Sequence, residues 1–230
     1  MQQKIVPATN LTKNQFILVI NTNRISGVAP LAVHFNTLGT TSTATGRPFH
    51  ELKYTWNFGD PAGGATWGYG VKAGTSSKNT AYGPIAAHVF ETPGTYTVTV
   101  SAFNGTGTQT QTQTITVTDP NTVFANTATV CVSSTSLPVQ GVNGCPSGAA
   151  VQQLSAPWSN IGTLAASYKR ILLMRGDTWN VSSNAIITST GTNGGVIGAY
   201  GTGNKPKINL QGNNQGLRFQ NASDWRVMDL

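Results

Sequence analysis

Apolar and polar residues alternate in short segments through the first half of the chain. Leu31-Ala32-Val33-His34-Phe35 places Leu31, Val33 and Phe35 on one side of an extended backbone. Tyr54-Thr55-Trp56-Asn57-Phe58 does the same with three aromatics, and Tyr96-Thr97-Val98-Thr99-Val100 and Ile115-Thr116-Val117 repeat the pattern. Residues two apart share a strand face, so each segment buries one face and wets the other. Ala29-Pro30, Gly59-Asp60-Pro61, Thr92-Pro93-Gly94 and Asn104-Gly105 separate them with turn formers. Phe16 to Ile20, flanked by Asn14 and Asn21, reads as a further strand, and Gly107 to Thr114 as a polar final strand by its alternation. Several such strands within about a hundred residues predict two packed antiparallel sheets.

Asp119-Pro120-Asn121 reads as a short linker, and the pattern changes beyond it. Between Gly148 and Ser167, Val151, Leu154, Trp158, Ile161 and Leu164 recur at helical spacing. Pro157 and Gly162 interrupt that run, so the predicted helix is short or broken. Short apolar runs follow. Ile171, Val196 and Leu217 step by about twenty-one to twenty-five residues, and Ile186, Ile208 and Val227 by about twenty. Two interleaved series with similar steps predict successive turns of a solenoid. The expected organisation is a segment 1–13, a sandwich over 14–119 with an insertion at about 61–87, and a coil over 120–230.

Composition narrows the function classes. The net charge of +7 comes mostly from few acids, with 14 Lys and Arg against 7 Asp and Glu. The basic residues are scattered and form no run of the nucleic-acid-binding kind. No stretch is long and apolar enough to span a membrane. Met1-Gln2-Gln3-Lys4 is not followed by a signal-peptide apolar region, so either a leader has been removed or export takes another route. The two cysteines, Cys131 and Cys145, either form one disulfide, which suits an oxidising compartment, or stay as free thiols. His34, His50 and His88 all lie far from them in sequence, which argues against a zinc site.

Three ordered motifs carry a family resemblance. Ser26-Gly27-Val28-Ala29-Pro30-Leu31-Ala32-Val33-His34-Phe35 looks like the opening of a PKD domain. Tyr54-Thr55-Trp56-Asn57-Phe58-Gly59-Asp60 resembles that family's W-D-F-G-D hallmark, with Asn57 in place of the usual Asp and Pro61 where Gly is common. His88-Val89-Phe90-Glu91-Thr92-Pro93-Gly94-Thr95-Tyr96-Thr97-Val98-Thr99-Val100 is similar to its H-x-Y-x-x-P-G-x-Y-x-V-x-V segment. The resemblance implies an immunoglobulin-like β-sandwich, used in secreted enzymes and surface proteins as a spacer, an adhesive module or a polysaccharide-contacting module. Trp56 and Phe58 are expected in the core, Gly59 in a tight turn, and Asp60 on local backbone donors. His88, Pro93, Gly94 and Tyr96 are expected to be structural. The insertion carries Trp67, Tyr69 and Tyr82. These aromatics either stack on sugar rings or fold back over the sandwich edge.

The second half resembles a different family. Arg170-Ile171-Leu172-Leu173-Met174-Arg175-Gly176-Asp177-Thr178-Trp179 looks like the first coil of right-handed parallel β-helix proteins of the pectin-lyase type. The stretch Val196 to Ile208 is similar to their next element, and the broken helix would be the N-terminal cap. The expected fold class is therefore all-β, an immunoglobulin-like β-sandwich plus the cap and first coils of a parallel β-helix. Proteins on this fold usually have many more coils, with carboxylates, bases or calcium on the later ones, so this chain is expected to be the front part of a longer protein or a truncated product, or else a short, self-capped coil stabilised by the sandwich or by oligomerisation.

Glycoside hydrolysis needs paired carboxyl groups, and lyase chemistry needs a base with a cation or metal. Beyond Asp119, the second half offers only Asp177, Asp224 and Asp229. Asp177, after Gly176, suits backbone capping, and Asp224 and Asp229 flank Arg226 without a partner set. No catalytic residue, cofactor or metal site is expected. The expected location is extracellular or at a cell surface. The expected partners are a polysaccharide or cell-surface glycan, or other protein subunits, and not nucleic acid. Three functions remain open: a non-catalytic segment for adhesion, spacing or polysaccharide contact; the front part of a secreted polysaccharide lyase or glycoside hydrolase; and a virion fibre or other self-assembling protein.

Overall fold

The computed structural model describes residues 15–60, 79–154, 158–188 and 195–230. The chain divides into two compact units, Met1–Asp119 and Pro120–Leu230.

The first unit runs through β1 (Phe16–Ile17), β2 (Asn21–Thr22), β3 (Ser26–Val28), β4 (Leu31–Asn36), β5 (Thr41–Ser42), α1 (Pro48–Glu51), β6 (Lys53–Asn57), β7 (Thr80–Tyr82), β8 (Ile85–Phe90), β9 (Gly94–Phe103) and β10 (Thr108–Thr118). One sheet has the order β3-β10-β9-β6-β7, and a second the order β2-β4-β8. All of these pairs are antiparallel except β3 with β10. The alternation creates the core directly. Leu31, Val33 and Phe35 from one sheet meet Tyr54, Trp56, Val98, Val100 and Ile115 from the other. The Phe35 ring lies 5.7 Å from Trp56 and 5.8 Å from Phe58.

The segment read as an insertion over 61–87 is in part regular strand. Thr80–Tyr82 extends the sheet beside β6, and Ile85 to Ala87 begin β8. The alternation in β8 buries Ala86, His88 and Phe90. Two small alanines and a histidine hide that period from a hydrophobicity pattern. Residues 61–78 of the segment, with Trp67 and Tyr69, lie outside the described residues, as does the N-terminal segment 1–13.

The second unit runs through α2 (Pro120–Val123), a 3₁₀ turn (Asn126–Ala128), β11 (Thr129–Ser133), β12 (Ala150–Gln153), α3 (Asn160–Ser167), β13 (Arg170–Met174), β14 (Thr178–Asn180), β15 (Ala185–Ile187), β16 (Gly195–Tyr200), β17 (Lys207–Asn209), β18 (Leu217–Phe219) and β19 (Trp225–Val227). Among the described residues, every strand pair in this unit is parallel. The strands form a five-stranded sheet, β12-β11-β13-β16-β19, and two pairs, β14-β17 and β15-β18.

This order corrects the expected two-series repeat. Ile171 sits beside Ile197, Trp179 beside Ile208, and Ala185 beside Leu217. Three strand series therefore recur, and Leu217 belongs with Ala185 rather than with Val196. The apolar runs alone carry no label for the sheet they join. The helix also differs from its expected span. Val151 lies in β12, and α3 begins at Asn160 and passes through Gly162. A Cβ on Gly162 would stand 2.5 Å from the Ile186 carbonyl oxygen, so this glycine lets α3 pack against β15. Ile161, Leu164 and Ala165 form the buried face of α3. Pro157 lies outside the described residues.

Cys131 and Cys145 are joined in a disulfide, with Cα atoms 6.0 Å apart. Both are buried, and they pack with Ala149, Leu172 and Tyr200.

Candidate glycan-contact face

The hallmark residues of the first unit build an interior polar centre. Gly59 turns the chain with φ +67°, and a Cβ there would stand 2.5 Å from the Thr97 carbonyl oxygen. Its N–H donates to Asn57 Oδ1 at 2.8 Å, so Asn57 supplies the local cap. The Asp60 N–H donates to Asn79 Oδ1 at 2.7 Å. The Asp60 carboxylate points inward and meets His88 Nε2 at 3.0 Å. The His88 ring stacks on Phe58 with centroids 4.4 Å apart and meets the edge of Phe90 at 4.6 Å. His88 thus links the two sheets through a buried polar contact inside an aromatic cluster. Tyr96 closes one side against Phe90, and its hydroxyl donates to the Thr92 carbonyl oxygen at 2.6 Å. Burial raises the Tyr96 pKa, and the negative charge of Asp60 adds to the effect. The ring also lies beside Gly94, where a Cβ would meet it at ordinary van der Waals distance, while Pro93 is exposed in the turn.

The opposite face of the same sheet is open and polar. Tyr54, Trp56, Val98 and Val100 point inward, so their neighbours in sequence point outward. The strand register aligns Tyr82, Thr55, Ser101 and Thr110 across four strands. Neighbouring rows hold Thr80, Asn57, Thr99 and Thr112 on one side and Lys53, Phe103 and Thr108 on the other. The Ser101 and Thr110 hydroxyls are 3.2 Å apart. Tyr82 is 77% exposed and Phe103 41% exposed.

The buried Trp56 positions the exposed Tyr82. Trp56 Nε1 donates to the Gly83 carbonyl oxygen at 2.8 Å, and the Gly83 N–H donates to the Tyr54 carbonyl oxygen at 3.2 Å. Gly83 takes φ +94° to make the turn. The core tryptophan therefore fixes the backbone next to Tyr82, which leaves the phenol ring on the surface.

Residues 17–117 match the family model described as PKD domain. The match covers the sandwich, which is thus similar to a PKD domain. No curated protein matches the chain. Among solved structures, the chain is similar to the human VPS10 domain-containing receptor SorCS2 PKD domain, at 21% identity and a TM-score of 0.29. That match covers 52% of this chain and 85% of the other. It is also similar to a structure described under the promiscuous specificity of carbohydrate-binding modules from the β-sandwich superfamily. There the identity is 25% and the TM-score 0.32, and the match covers 47% of this chain and 37% of that one.

Of the three aromatics singled out for sugar contact, Tyr82 lies on the outer face of the larger sheet, while Trp67 and Tyr69 lie outside the described residues. Phe103 and the threonine rows escaped the sequence reading. Phe103 ends a strand whose inward partner is a small Ala102, so its outward direction shows only in the register. Among the described residues, no group of three or more His, Cys, Asp or Glu is placed to hold a metal ion. No described helix is long and apolar enough to cross a membrane.

The carboxylates of the second unit sit in structural contacts. Asp177 accepts from Ser133 Oγ and from the Ser134 N–H, each at 2.7 Å. It thereby holds the chain leaving β11. Asp229 pairs with Arg175 and lies 3.9 Å from Lys205 Nζ, whereas Asp224 lies 3.8 Å from Arg226. A recess of about 490 Å³ beside the disulfide is lined by Asn121, Asn126, Gly144 and Cys145 among others, and bears no charged side chain.

Proposed function

We propose that this chain is a non-catalytic extracellular or cell-surface segment whose PKD domain contacts a polysaccharide through the outer face of its larger sheet. The observation that carries this reading is the row Tyr82, Thr55, Ser101 and Thr110, with Tyr82 held outward by Trp56. The chemistry suits a sugar. The apolar C–H face of a pyranose ring stacks on an exposed aromatic ring, and its hydroxyls pair with side-chain hydroxyls. The face is almost uncharged, with Lys53 at its margin, which favours a neutral or weakly acidic glycan. Trp67 and Tyr69 extend the same reading to the preceding segment.

The second unit supports this role as a rigid spacer. Its three parallel strand series and the helix against β15 favour the capped front of a right-handed parallel β-helix. The same stacking favours a second reading, the front part of a polysaccharide lyase or hydrolase whose catalytic coils lie elsewhere in a longer protein. Affinity electrophoresis through gels cast with single polysaccharides tests the first reading. Retardation by one polysaccharide, relieved in Tyr82→Ala, is the expected result. Equal mobility in every gel would remove the sugar-contact reading and leave the spacer.

A further inference from the structure

The larger sheet of the sandwich ends in an unusual edge. β3 runs beside β10 only at Thr116, Val117 and Thr118. The Thr116 N–H donates to the Ile25 carbonyl oxygen on that side at 2.9 Å. Backbone groups alternate in direction along a strand, so Thr108, Thr110, Thr112 and Thr114 also aim their N–H and C=O away from β9. The Thr114 carbonyl is covered, because Gln113 Nε2 donates to it at 3.0 Å. Along Thr108, Thr110 and Thr112, no strand among the described residues takes up these groups. All five residues from Thr108 to Thr112 are exposed.

Natural sheets protect such an edge with a lysine, a proline, a bulge or a very short strand. None of these is present in Thr108-Gln109-Thr110-Gln111-Thr112, and the pairing with β9 is regular from Thr108 to Val117. The segment is also free of charge.

From this edge we infer that the chain self-associates, with β10 of one copy pairing antiparallel to β10 of a second copy. A two-fold axis at Thr110 places Thr110 opposite its own copy and Thr108 opposite Thr112. Each residue that exposes its N–H and C=O then meets another that does the same. The alternating sequence makes the strand complementary to itself, and no like charges oppose each other. Gln109 and Gln111 fall opposite each other on one side of the joined sheet, and the threonines line up on the other. β3 occupies only the lane beyond Thr116, so it leaves the pairing length clear. The contact is main-chain hydrogen bonding along one short strand, and it buries less than the roughly 800 Å² per partner of a standard interface. The association is therefore weak and strengthens with concentration.

Sedimentation equilibrium of the full chain from micromolar to near-millimolar concentration tests this. The average mass should rise from the monomer's 24.1 kDa toward twice that value. Thr112→Pro removes one outward donor and leaves the β9 ladder intact, because that N–H makes no bond within the sheet. Thr110→Lys sets two positive charges opposite each other. Both variants should stay monomeric at every concentration while unfolding at the wild-type denaturant midpoint. A wild-type mass that stays at 24.1 kDa throughout would overturn the inference. So would association that persists unchanged in both variants, because it would lie on another surface.

Discussion

His88 Nε2 lies 3.0 Å from an Asp60 carboxylate oxygen, and both side chains are almost wholly buried. The contact ties β8 to the end of the Trp56-Asn57-Phe58-Gly59-Asp60 motif. Removing one partner strands a polar group among the Phe58 and Phe90 rings, where water cannot replace the lost bond. Asp60→Ala and His88→Ala should each lower the unfolding free energy by about 3 kcal/mol. The double variant should lose less than the sum, because both single changes break one contact. Urea unfolding of the four proteins in the cycle measures this, and strictly additive losses would deny the coupling.

The sandwich core was legible because each strand repeats a large apolar side chain at every second residue. Leu31, Val33 and Phe35 announce their face, and so do Tyr54, Trp56 and Phe58. β8 was less visible because Ala86 and His88 fill inward positions that need small or polar groups. Asn57 supplies the turn's cap, and the inward direction of the Asp60 carboxylate depends on a histidine 28 residues away. The contact face was only partly legible for a related reason. Tyr82, Thr55, Ser101 and Thr110 come from four separate strands, and only the register aligns them. In the second unit, apolar runs marked the strands but not which sheet each one joins.

Gly162 offers a test in which two effects oppose each other. Replacing a helical glycine by alanine normally stabilises a helix by about 1 kcal/mol. Here the new methyl would stand 2.5 Å from the Ile186 carbonyl oxygen, a backbone atom that moves only if β15 moves. Overpacking of this kind costs about 1–3 kcal/mol and should win. Gly162→Ala should therefore lower the thermal midpoint, and a raised midpoint would show that α3 and β15 are not tightly packed.

The disulfide closes a short loop, with its cysteines 14 positions apart. A bond across such a loop stabilises by about 3 kcal/mol through the unfolded chain. Reduction, or the Cys131→Ser and Cys145→Ser pair, should lower the thermal midpoint by several degrees. An unchanged midpoint under full reduction would contradict that contribution.

Tyr200 links this region to pH. Burial raises its pKa to about 12, and the nearby Asp177 charge adds to the shift. The folded state thus holds the phenol proton more tightly than the unfolded state, whose tyrosines titrate near about 10. The stability contributed is present in full below about pH 10 and is lost as the pH rises through about 12. Tyr200→Phe should flatten the alkaline loss of stability over that window. An identical alkaline profile in the variant would show that other groups control it.

The sugar-contact role is tested by the affinity of the whole chain for polysaccharides on an array, set beside Tyr82→Ala, Trp67→Ala and Tyr69→Ala. Saturable binding to at least one glycan, weakened roughly tenfold in Tyr82→Ala by the loss of one stacking contact, is the expected result. Binding with equal strength in Tyr82→Ala, or no binding to any glycan, would contradict the sugar-contact role of the sandwich's outer face.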